Sequence, residues 1–153
     1  MEVPSVGRKE AREITLHLVF ELSFKQFSDE DLLSDRLEKS VMRSLAGDIA
    51  LYAGELEEEQ KIYIRNTVLG VCTHCAELDE IVSKYSTNWS TSRLSHMTMS
   101  VLRLALYEMK YADDVPTATA IDEAVELAKK YESKEASKLI NGILGAVARE
   151  TAE

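Results

Sequence analysis

The basic side chains near the start of the chain are spaced so that they can act together on an anion. Arg8 and Arg12 are four positions apart, which places them on one side of a helix, and Lys9 follows Arg8 directly. Three such cations can face a phosphate backbone, and Phe20, two turns further on, can stack on a base or enter the core. On spacing alone, the core is favoured for Phe20, and a solvated face partly compensated by neighbouring glutamates is favoured for the cations.

A second candidate site is the segment Cys72-Thr73-His74-Cys75, because two thiolates three positions apart on a helix can share a face with a histidine between them. A closed zinc site needs four ligands, usually in two separated pairs, and the other histidines, His17 and His96, lie far away in sequence. The sequence therefore predicts that both cysteines pack as small helix-face residues and that the protein binds no metal.

No sequence motif indicates catalysis. The chain has no serine in a Gly-x-Ser-x-Gly elbow and no glycine-rich loop to cradle phosphates. Carboxylates are plentiful, but Glu57-Glu58-Glu59 and Asp122-Glu123 fall at predicted helix starts, where acidic residues complement the helix dipole. We therefore expect no catalytic residues, no cofactor and a function that is not enzymatic.

Charge and cysteine content narrow the classes of function further. The chain has 27 acidic and 18 basic residues and a net charge of −9, which argues against binding nucleic acid or an anionic membrane through bulk charge. Residues 1–27 hold four basic and four acidic groups, so any nucleic-acid contact must be local. Two cysteines make no disulfide framework, and no window approaches about 18 apolar residues, so a cytoplasmic protein without a membrane segment is expected.

Apolar periodicity predicts an all-α protein. Apolar residues recur at about 3.6-residue spacing, while sustained alternation and hairpin turns of the Asn-Gly or Asp-Gly type are absent. The 153 residues fit a single domain, residues 1–153, of about seven helices. The expected helices run from after Ser5 to about Gln26, from Ser28 to about Gly47, through a short segment from Asp48 to Gly54, from Glu57 to Tyr85, over about 97–109, from a cap at Thr117 or Thr119, and over about 134–149.

The predicted helix over 97–109 is apolar on almost all sides, with Val101, Leu102 and Leu104 among its residues. A helix of this kind usually lies in the middle of a bundle. Trp89 is expected to anchor the turn before it, and Pro116 to end the helical region.

The last third of the chain carries the most specific signal. Trp89 and Arg93-Leu94 precede the segments "RLALYEM", "DVP", "AIDEAVELAK" and "KLINGIL". In order and spacing these segments resemble the NusB family of bacterial transcription antitermination factors. The stretch from Arg8 to Glu13 resembles the arginine-rich first helix of that family, and Phe20 stands where the family often has tyrosine. The resemblance spans nearly the whole chain and is loose between residues 28 and 85.

The resemblance implies a NusB-like helical fold of two small bundles packed together. Family members bind the boxA element of nascent transcripts, above all ribosomal RNA leaders, as a heterodimer with NusE, a ribosomal small-subunit protein. That complex helps RNA polymerase to read through terminators. Carried over to this chain, Arg8, Lys9 and Arg12 would contact RNA phosphates. Phe20 would lie near the RNA, and Lys138 would sit at the RNA-facing start of the last helix.

Several positions depart from the family pattern. Glu10 replaces a residue that is often basic, Thr117-Ala118 follows "DVP" where relatives often have an aromatic and a lysine, and Leu139 stands where an aromatic is common. Each change removes a cation or a stacking surface, so weaker RNA affinity and more dependence on NusE are expected.

Other interpretations of the sequence stay open. One is a helical adaptor that binds NusE with little RNA binding. Another is an accessory NusB-like domain of an RNA methyltransferase, which would need a catalytic partner because the chain has no cofactor-binding segment. Whether the free protein forms a homodimer is also open.

Overall fold

A computed structural model describes residues 7–24, 57–86 and 94–151. In this part of the chain the backbone forms six α-helices and no strand, which confirms the all-α prediction. The helices are α1 (Arg8–Leu22), α2 (Glu58–Thr73), α3 (Cys75–Tyr85), α4 (His96–Tyr111), α5 (Thr117–Tyr131) and α6 (Lys134–Thr151). Trp89 and the helices expected between residues 28 and 54 lie outside the described residues.

The chain divides into two compact units, residues 1–73 and 74–153. In the first unit α1 packs against α2. In the second unit α4 contacts all three of α3, α5 and α6, and α5 packs along α6. The prediction that residues 1–153 form a single domain stays a prediction.

The first unit is joined by apolar stripes on α1 and α2. Ala11, Ile14 and Leu18 follow one another at helical spacing on α1 and are buried, and Ile64 and Val68 are buried on α2. Removing each large side chain of this kind from water contributes roughly 1.5–3 kcal/mol to folding. This packing fixes the rotation of α1 and therefore which of its polar residues face α2.

Helix α1 is shorter than the periodicity predicts, ending at Leu22 rather than near Gln26. The backbone N–H of Ser23 donates to the carbonyl of Val19 at 3.0 Å, and its hydroxyl donates to the carbonyl of Phe20 at 2.6 Å. The Ser23 N–H still makes the ordinary helical bond, whereas the next N–H, that of Phe24, donates to the carbonyl of Glu21 at 3.4 Å, so the last turn tightens where the helix ends.

The single helix expected from Glu57 to Tyr85 is two helices, because His74 interrupts it with φ of −99° and ψ of 13°. The His74 ring stacks on Tyr111 of α4 at a centroid distance of 4.3 Å, and its Nδ1 lies 3.2 Å from Glu77 Oε2. Apolar periodicity continues through this point. The interruption therefore coincides with contacts to a later helix, which a local pattern does not contain.

Helix α4 lies at the centre of the second unit, as predicted. Five consecutive or near-consecutive apolar residues are at most 2% exposed, namely Val101, Leu102, Leu104, Ala105 and Leu106. Ser95 caps the amino end of the helix, because its hydroxyl accepts a hydrogen bond from the Thr98 N–H at 3.0 Å. The cap and the buried faces together fix the position of α4 among its three neighbours.

Helix α5 begins directly after Pro116, which occupies the cap position without a side-chain hydrogen bond. The prediction that Thr117 or Thr119 caps this helix is therefore wrong. Proline is tolerated at the start of a helix because its fixed φ is close to the helical value and because the N–H that it lacks would have no partner within the helix. Small buried residues of α5, Ala124 and Ala128, allow α6 to approach closely and bury Ile140 and Leu144.

Candidate nucleic-acid interface

Arg8, the first residue of α1, is held by side chains of α2. Its Nε donates a hydrogen bond to Gln60 Oε1 at 2.9 Å, and its Cζ lies 4.2 Å from the centroid of the Tyr63 ring. Its Nη2 is 3.6 Å from Glu59 Oε1, a carboxylate whose side chain is 76% exposed. The Arg8 side chain is itself 32% exposed, so α2 orients the guanidinium while solvent still reaches it.

Arg12 lies one turn further along α1 and is only 5% exposed. Its Cζ is 5.8 Å from the centroid of the same Tyr63 ring, within the range at which a guanidinium is attracted to an aromatic face. Arginine does not lose its proton in proteins, so this buried group stays positive. Tyr63 therefore lies against two positive charges from successive turns of α1.

The placement of these cations is unfavourable for the helix itself. The amino end of α1 carries the positive end of the helix dipole, where acidic residues stabilise and basic residues do not. Arg8, Lys9 and Arg12 all lie within the first two turns. Glu10 and Glu13 lie among them, so the first two turns hold three basic against two acidic groups. The remaining positive charge acts with the same sign as the backbone N–H groups, which favours an anion.

The two remaining predicted residues of α1 are accessible. Lys9 is exposed. Phe20 is half-buried and packs edge to face against Phe24, with ring centroids 5.0 Å apart and planes at 84°. Phe24 is 58% exposed, so the two rings form an exposed aromatic pair. Twelve positions separate Arg8 from Phe20, which corresponds to about 18 Å along the helix.

Lys138 is exposed and lies near the start of α6, in the second unit. Four of the five predicted site residues therefore share α1, namely Arg8, Lys9, Arg12 and Phe20. The fifth, Lys138, belongs to the second unit. A joint contact of Lys138 and α1 with one ligand stays a prediction.

The second unit carries polar clusters of a different kind. Glu77 of α3 accepts hydrogen bonds from Lys110 and from the Tyr111 hydroxyl, at 2.7 Å for the latter, and these two donors lower the pKa of Glu77 to about 2. Glu150 of α6 accepts in the same way from Tyr85 and Lys84, and these hydrogen bonds lower the Glu150 pKa. Each of these lysines is thus paired with a carboxylate.

An ion pair also joins α3 to α4. Arg103 donates to Asp79 through two parallel bonds, Nε to Oδ1 at 2.7 Å and Nη2 to Oδ2 at 2.9 Å. Two parallel bonds of this kind are the bidentate geometry in which arginine binds a carboxylate most strongly, and the Arg103 side chain is only 15% exposed. The charge of Arg103 is thereby compensated within the protein.

The two cysteines form no disulfide and are half-buried. Cys75 Sγ lies 3.8 Å from Asp79 Oδ2, and burial raises the pKa of the Cys75 thiol. A thiol with a raised pKa is a poor nucleophile and a poor metal ligand at neutral pH. Among the described residues, no group of three or more histidine, cysteine or acidic side chains is arranged to hold a metal ion.

The α2 residues that organise the arginines have no signal in the sequence around Arg8 and Arg12. Gln60 and Tyr63 are spaced by one helical turn, as are Arg8 and Arg12. The Arg8–Gln60 hydrogen bond joins residues 52 positions apart, so no local pattern links the two helices. The sequence pattern places Glu59 only at a helix start, and its contact with Arg8 does not follow from that pattern.

Known proteins resemble this chain in sequence and in fold. The sequence profile that describes the NusB family matches residues 9–149. The transcription antitermination protein NusB of Acetivibrio thermocellus is 38% identical over 144 residues, covering 94% of this chain and 90% of that protein. The NusB of Listeria monocytogenes is 36% identical over 143 residues, covering 94% of this chain and 97% of that protein.

Solved structures agree with the sequence comparison. A crystal form of T. maritima NusB superposes with a TM-score of 0.76 at 28% identity, covering 96% of this chain and 94% of that one. A structure of the antitermination factors NusB and NusE in complex with double-stranded RNA has the same fold, with a TM-score of 0.74 at 20% identity and coverage of 94% and 96%. None of the described helices is long and apolar enough to cross a membrane. The chain belongs to the NusB family of transcription antitermination proteins.

Proposed function

We propose that this protein binds boxA-type single-stranded RNA of nascent ribosomal transcripts together with NusE, and that it acts in the RNA polymerase antitermination complex. The observation that carries the proposal is the amino end of α1, where exposed Lys9 and partly exposed Arg8 lie beside buried Arg12. Three basic groups lie there against two acidic ones, Glu10 and Glu13, in a chain whose net charge is −9. A solved complex of NusB and NusE with double-stranded RNA, which has the same fold, supports NusE and RNA as partners.

The charges of α1 suit a short contact with an RNA backbone. Arg8 and Lys9 are accessible enough to reach phosphates directly, and each phosphate neutralised releases counterions from the RNA. Arg12 is buried, so it contributes mainly positive potential and support for Arg8. Its direct contact with a phosphate is small. Binding is therefore local, sensitive to salt and dependent on a second RNA-binding partner, since the rest of the chain is acidic.

The exposed aromatic pair supplies a second kind of contact. Stacking of a base on an aromatic ring contributes about 1–3 kcal/mol and tolerates different bases. Phe20 and Phe24 offer such a surface about 18 Å from the cations along α1. We assign Phe20 to this role, and Lys138 to an additional phosphate contact from the second unit.

The proposed activity is binding without catalysis, carried out in the cytoplasm where transcripts are made, by one NusB-like domain. The full-length relatives named above are covered over 90% and 97% of their length, which favours an antitermination factor over an accessory domain of a methyltransferase.

A gel-shift experiment tests this function. The protein is mixed with boxA-like single-stranded RNA, with a scrambled strand and with a duplex of the same sequence, each with and without NusE. The expected result is a shift of the boxA-like single strand that strengthens when NusE is present. Binding to NusE with no gain in RNA affinity over NusE alone would replace this proposal with the helical adaptor.

A further inference from the structure

The second unit contains a cavity that takes no part in the proposed RNA contact. Its volume is about 340 Å³, and its lining comes from α3, α4 and α6 and from the start of α5. All of these elements belong to residues 74–153, and none of the five predicted site residues lines the cavity. Protein interiors hold few voids larger than a water molecule, so a concave space of this size is a candidate ligand site.

The inner wall of the cavity is apolar. Leu106 of α4 and Val147 of α6 are 2% and 8% exposed, and Ile81 of α3 and Met109 of α4, which also line the cavity, are half-buried. A water molecule against such a wall has few hydrogen-bonding partners, so an apolar group that replaces it binds favourably. The thioether of Met109 is flexible and adjusts to the outline of a ring.

The size of the cavity sets the size of its ligand. An apolar cavity of about 150 Å³ accommodates a benzene molecule, and small-molecule sites in proteins begin at about 300 Å³. The volume of about 340 Å³ in this protein is therefore enough for a molecule of two fused rings.

The charged groups at the mouth of the cavity are already paired. Lys84 and Lys110 line the mouth, where both are exposed. Lys84 Nζ lies 3.2 Å from Glu150 Oε1, and Lys110 donates a hydrogen bond to Glu77. These hydrogen bonds raise the pKa of both lysines, so both stay charged at neutral pH. A charged ligand would have to break a pair or leave its own charge without a partner, whereas an uncharged ligand leaves both pairs intact.

One polar group at the mouth has a defined hydrogen-bonding role. The Thr151 hydroxyl donates its proton to the carbonyl of Val147 at 3.0 Å, so toward a ligand it acts as an acceptor. Val147 and Thr151 are one turn apart on α6, which places an apolar surface and an acceptor side by side. A ring that bears an N–H or O–H donor matches both.

We infer that this cavity binds a small, uncharged aromatic molecule of about two fused rings that carries one hydrogen-bond donor. The rings lie against Leu106, Met109 and Val147, and the donor faces Thr151. Such a ligand touches three helices and the start of a fourth, so its binding stabilises the second unit. The inference is independent of the proposed RNA contact, which uses other residues.

Titration of the full chain with indole tests this site. Indole has two fused rings, no charge and one N–H donor. We expect saturable binding of one molecule with a Kd of about 0.1–5 mM, and a melting temperature that rises with indole concentration. The methyl resonances of Ile81, Met109 and Val147 should shift along one saturable curve. Shifts that do not saturate, or that are confined to residues away from the cavity, would overturn the inference.

Charged analogues test whether the paired lysines exclude a charged ligand. Indole-3-acetate and tryptamine add a negative and a positive charge to the same rings, and each should bind at least about 5-fold more weakly than indole. Equal or tighter binding of either analogue would show that the paired groups exchange partners for the ligand, contrary to the inference. N-acetyl-tryptophanamide presents the same rings as a residue within a chain. Tighter binding of this compound than of indole would assign the cavity to a side chain of a partner protein instead.

Two substitutions on α5 form a matched pair of variants. Thr117→Phe places a ring over the cavity from an exposed position and should weaken indole binding at least about 10-fold. Thr119→Phe makes the same change two positions along, where the exposed side chain does not line the cavity, and should keep the affinity within about 2-fold. Thermal melting without indole shows that both variants fold. Equal affinities of the two variants would place the indole elsewhere and contradict the inference.

Discussion

The two units of this protein hold their basic side chains in different ways. In the first unit, Arg8 and Arg12 lie against the uncharged ring of Tyr63, and Arg8 also lies 3.6 Å from the exposed carboxylate of Glu59. In the second unit, the basic side chains at the contacts between helices are paired with carboxylates, as in Arg103–Asp79, Lys84–Glu150 and Lys110–Glu77.

The two arrangements suit different roles: one stabilises contacts between helices, and the other suits recognition of an anion. A cation that is paired with a carboxylate is compensated inside the protein and has little charge to offer to RNA. An aromatic ring orients a cation without adding a negative charge of its own. The first unit is therefore suited to binding an anion, and the pairs of the second unit are suited to joining helices.

The largest expected effect concerns the core of the second unit. Leu102 of α4 is fully buried, so Leu102→Ala should lower the free energy of unfolding by about 2–5 kcal/mol through lost burial and a residual cavity. Urea denaturation measures this change. The control is Ile62→Ala, because Ile62 is 50% exposed and its truncation should cost no more than about 0.5 kcal/mol. A loss below about 1 kcal/mol for Leu102→Ala would contradict the central position of α4.

The next effect tests whether a carboxylate-paired arginine is structural. Asp79→Asn removes the charge that receives both donors of Arg103 and should destabilise the protein by about 1.5–3 kcal/mol, since Arg103 is mostly buried. The matched control is Glu126→Gln, whose partner Lys129 is 3.9 Å away with both side chains exposed. That change should be within about 0.5 kcal/mol. Equal costs for the two variants would show that the Arg103 pair does not join α3 to α4.

Glu77 provides a smaller effect that depends on pH. Its pKa is about 2 in the folded protein, lowered from 4.5 by hydrogen bonds from Lys110 and Tyr111. A depressed folded pKa means that the stabilisation is complete above about 4.5 and is lost as the pH falls toward 2. We expect the melting temperature of Glu77→Gln to be lower than that of the unmodified protein at pH 6, and the two values to converge as the pH falls through this window. A constant difference across the window would show that the Glu77 charge is not responsible.

The smallest expected effect concerns the carboxylate beside Arg8 in the first unit. Glu59 lies 3.6 Å from Arg8 and competes weakly with an incoming phosphate. Glu59→Gln should therefore raise RNA affinity about 1.5- to 5-fold in the presence of NusE. The control is Glu58→Gln, which removes the same charge from the preceding position of α2. If both substitutions raise affinity equally, the effect comes from general charge and not from the contact with Arg8.

The parts of the fold that were predictable are those set by neighbouring residues in sequence. The central helix α4 follows from its almost continuous apolar character, and the Arg8–Arg12 pair follows from a spacing of one helical turn. The break at His74 was not predictable, because the stacking partner Tyr111 belongs to another helix.

The surroundings of the candidate site were predictable only in part. Spacing places Arg12 on the same side of α1 as Arg8, but it does not show that Arg12 is 5% exposed or that Tyr63 lies beside it. Both facts depend on how α2 packs on α1. The contacts between these helices join residues far apart in sequence, such as Arg8 and Gln60, which are 52 positions apart. The role of α2 in the site therefore required the structure.

The most direct test of the central claim is the salt dependence of RNA binding by an Arg8→Gln, Lys9→Gln double variant, measured with NusE present. Arg12 is left in place because its burial would mix binding with stability. The control is Lys129→Gln, Lys130→Gln, which removes two exposed charges from α5. Each phosphate contact on a single strand contributes about −0.7 to the slope of log affinity against log salt, so the α1 variant should lose about 1.4 from the slope together with affinity, while the control retains both. An unchanged slope and affinity for the α1 variant would show that the start of α1 does not bind RNA.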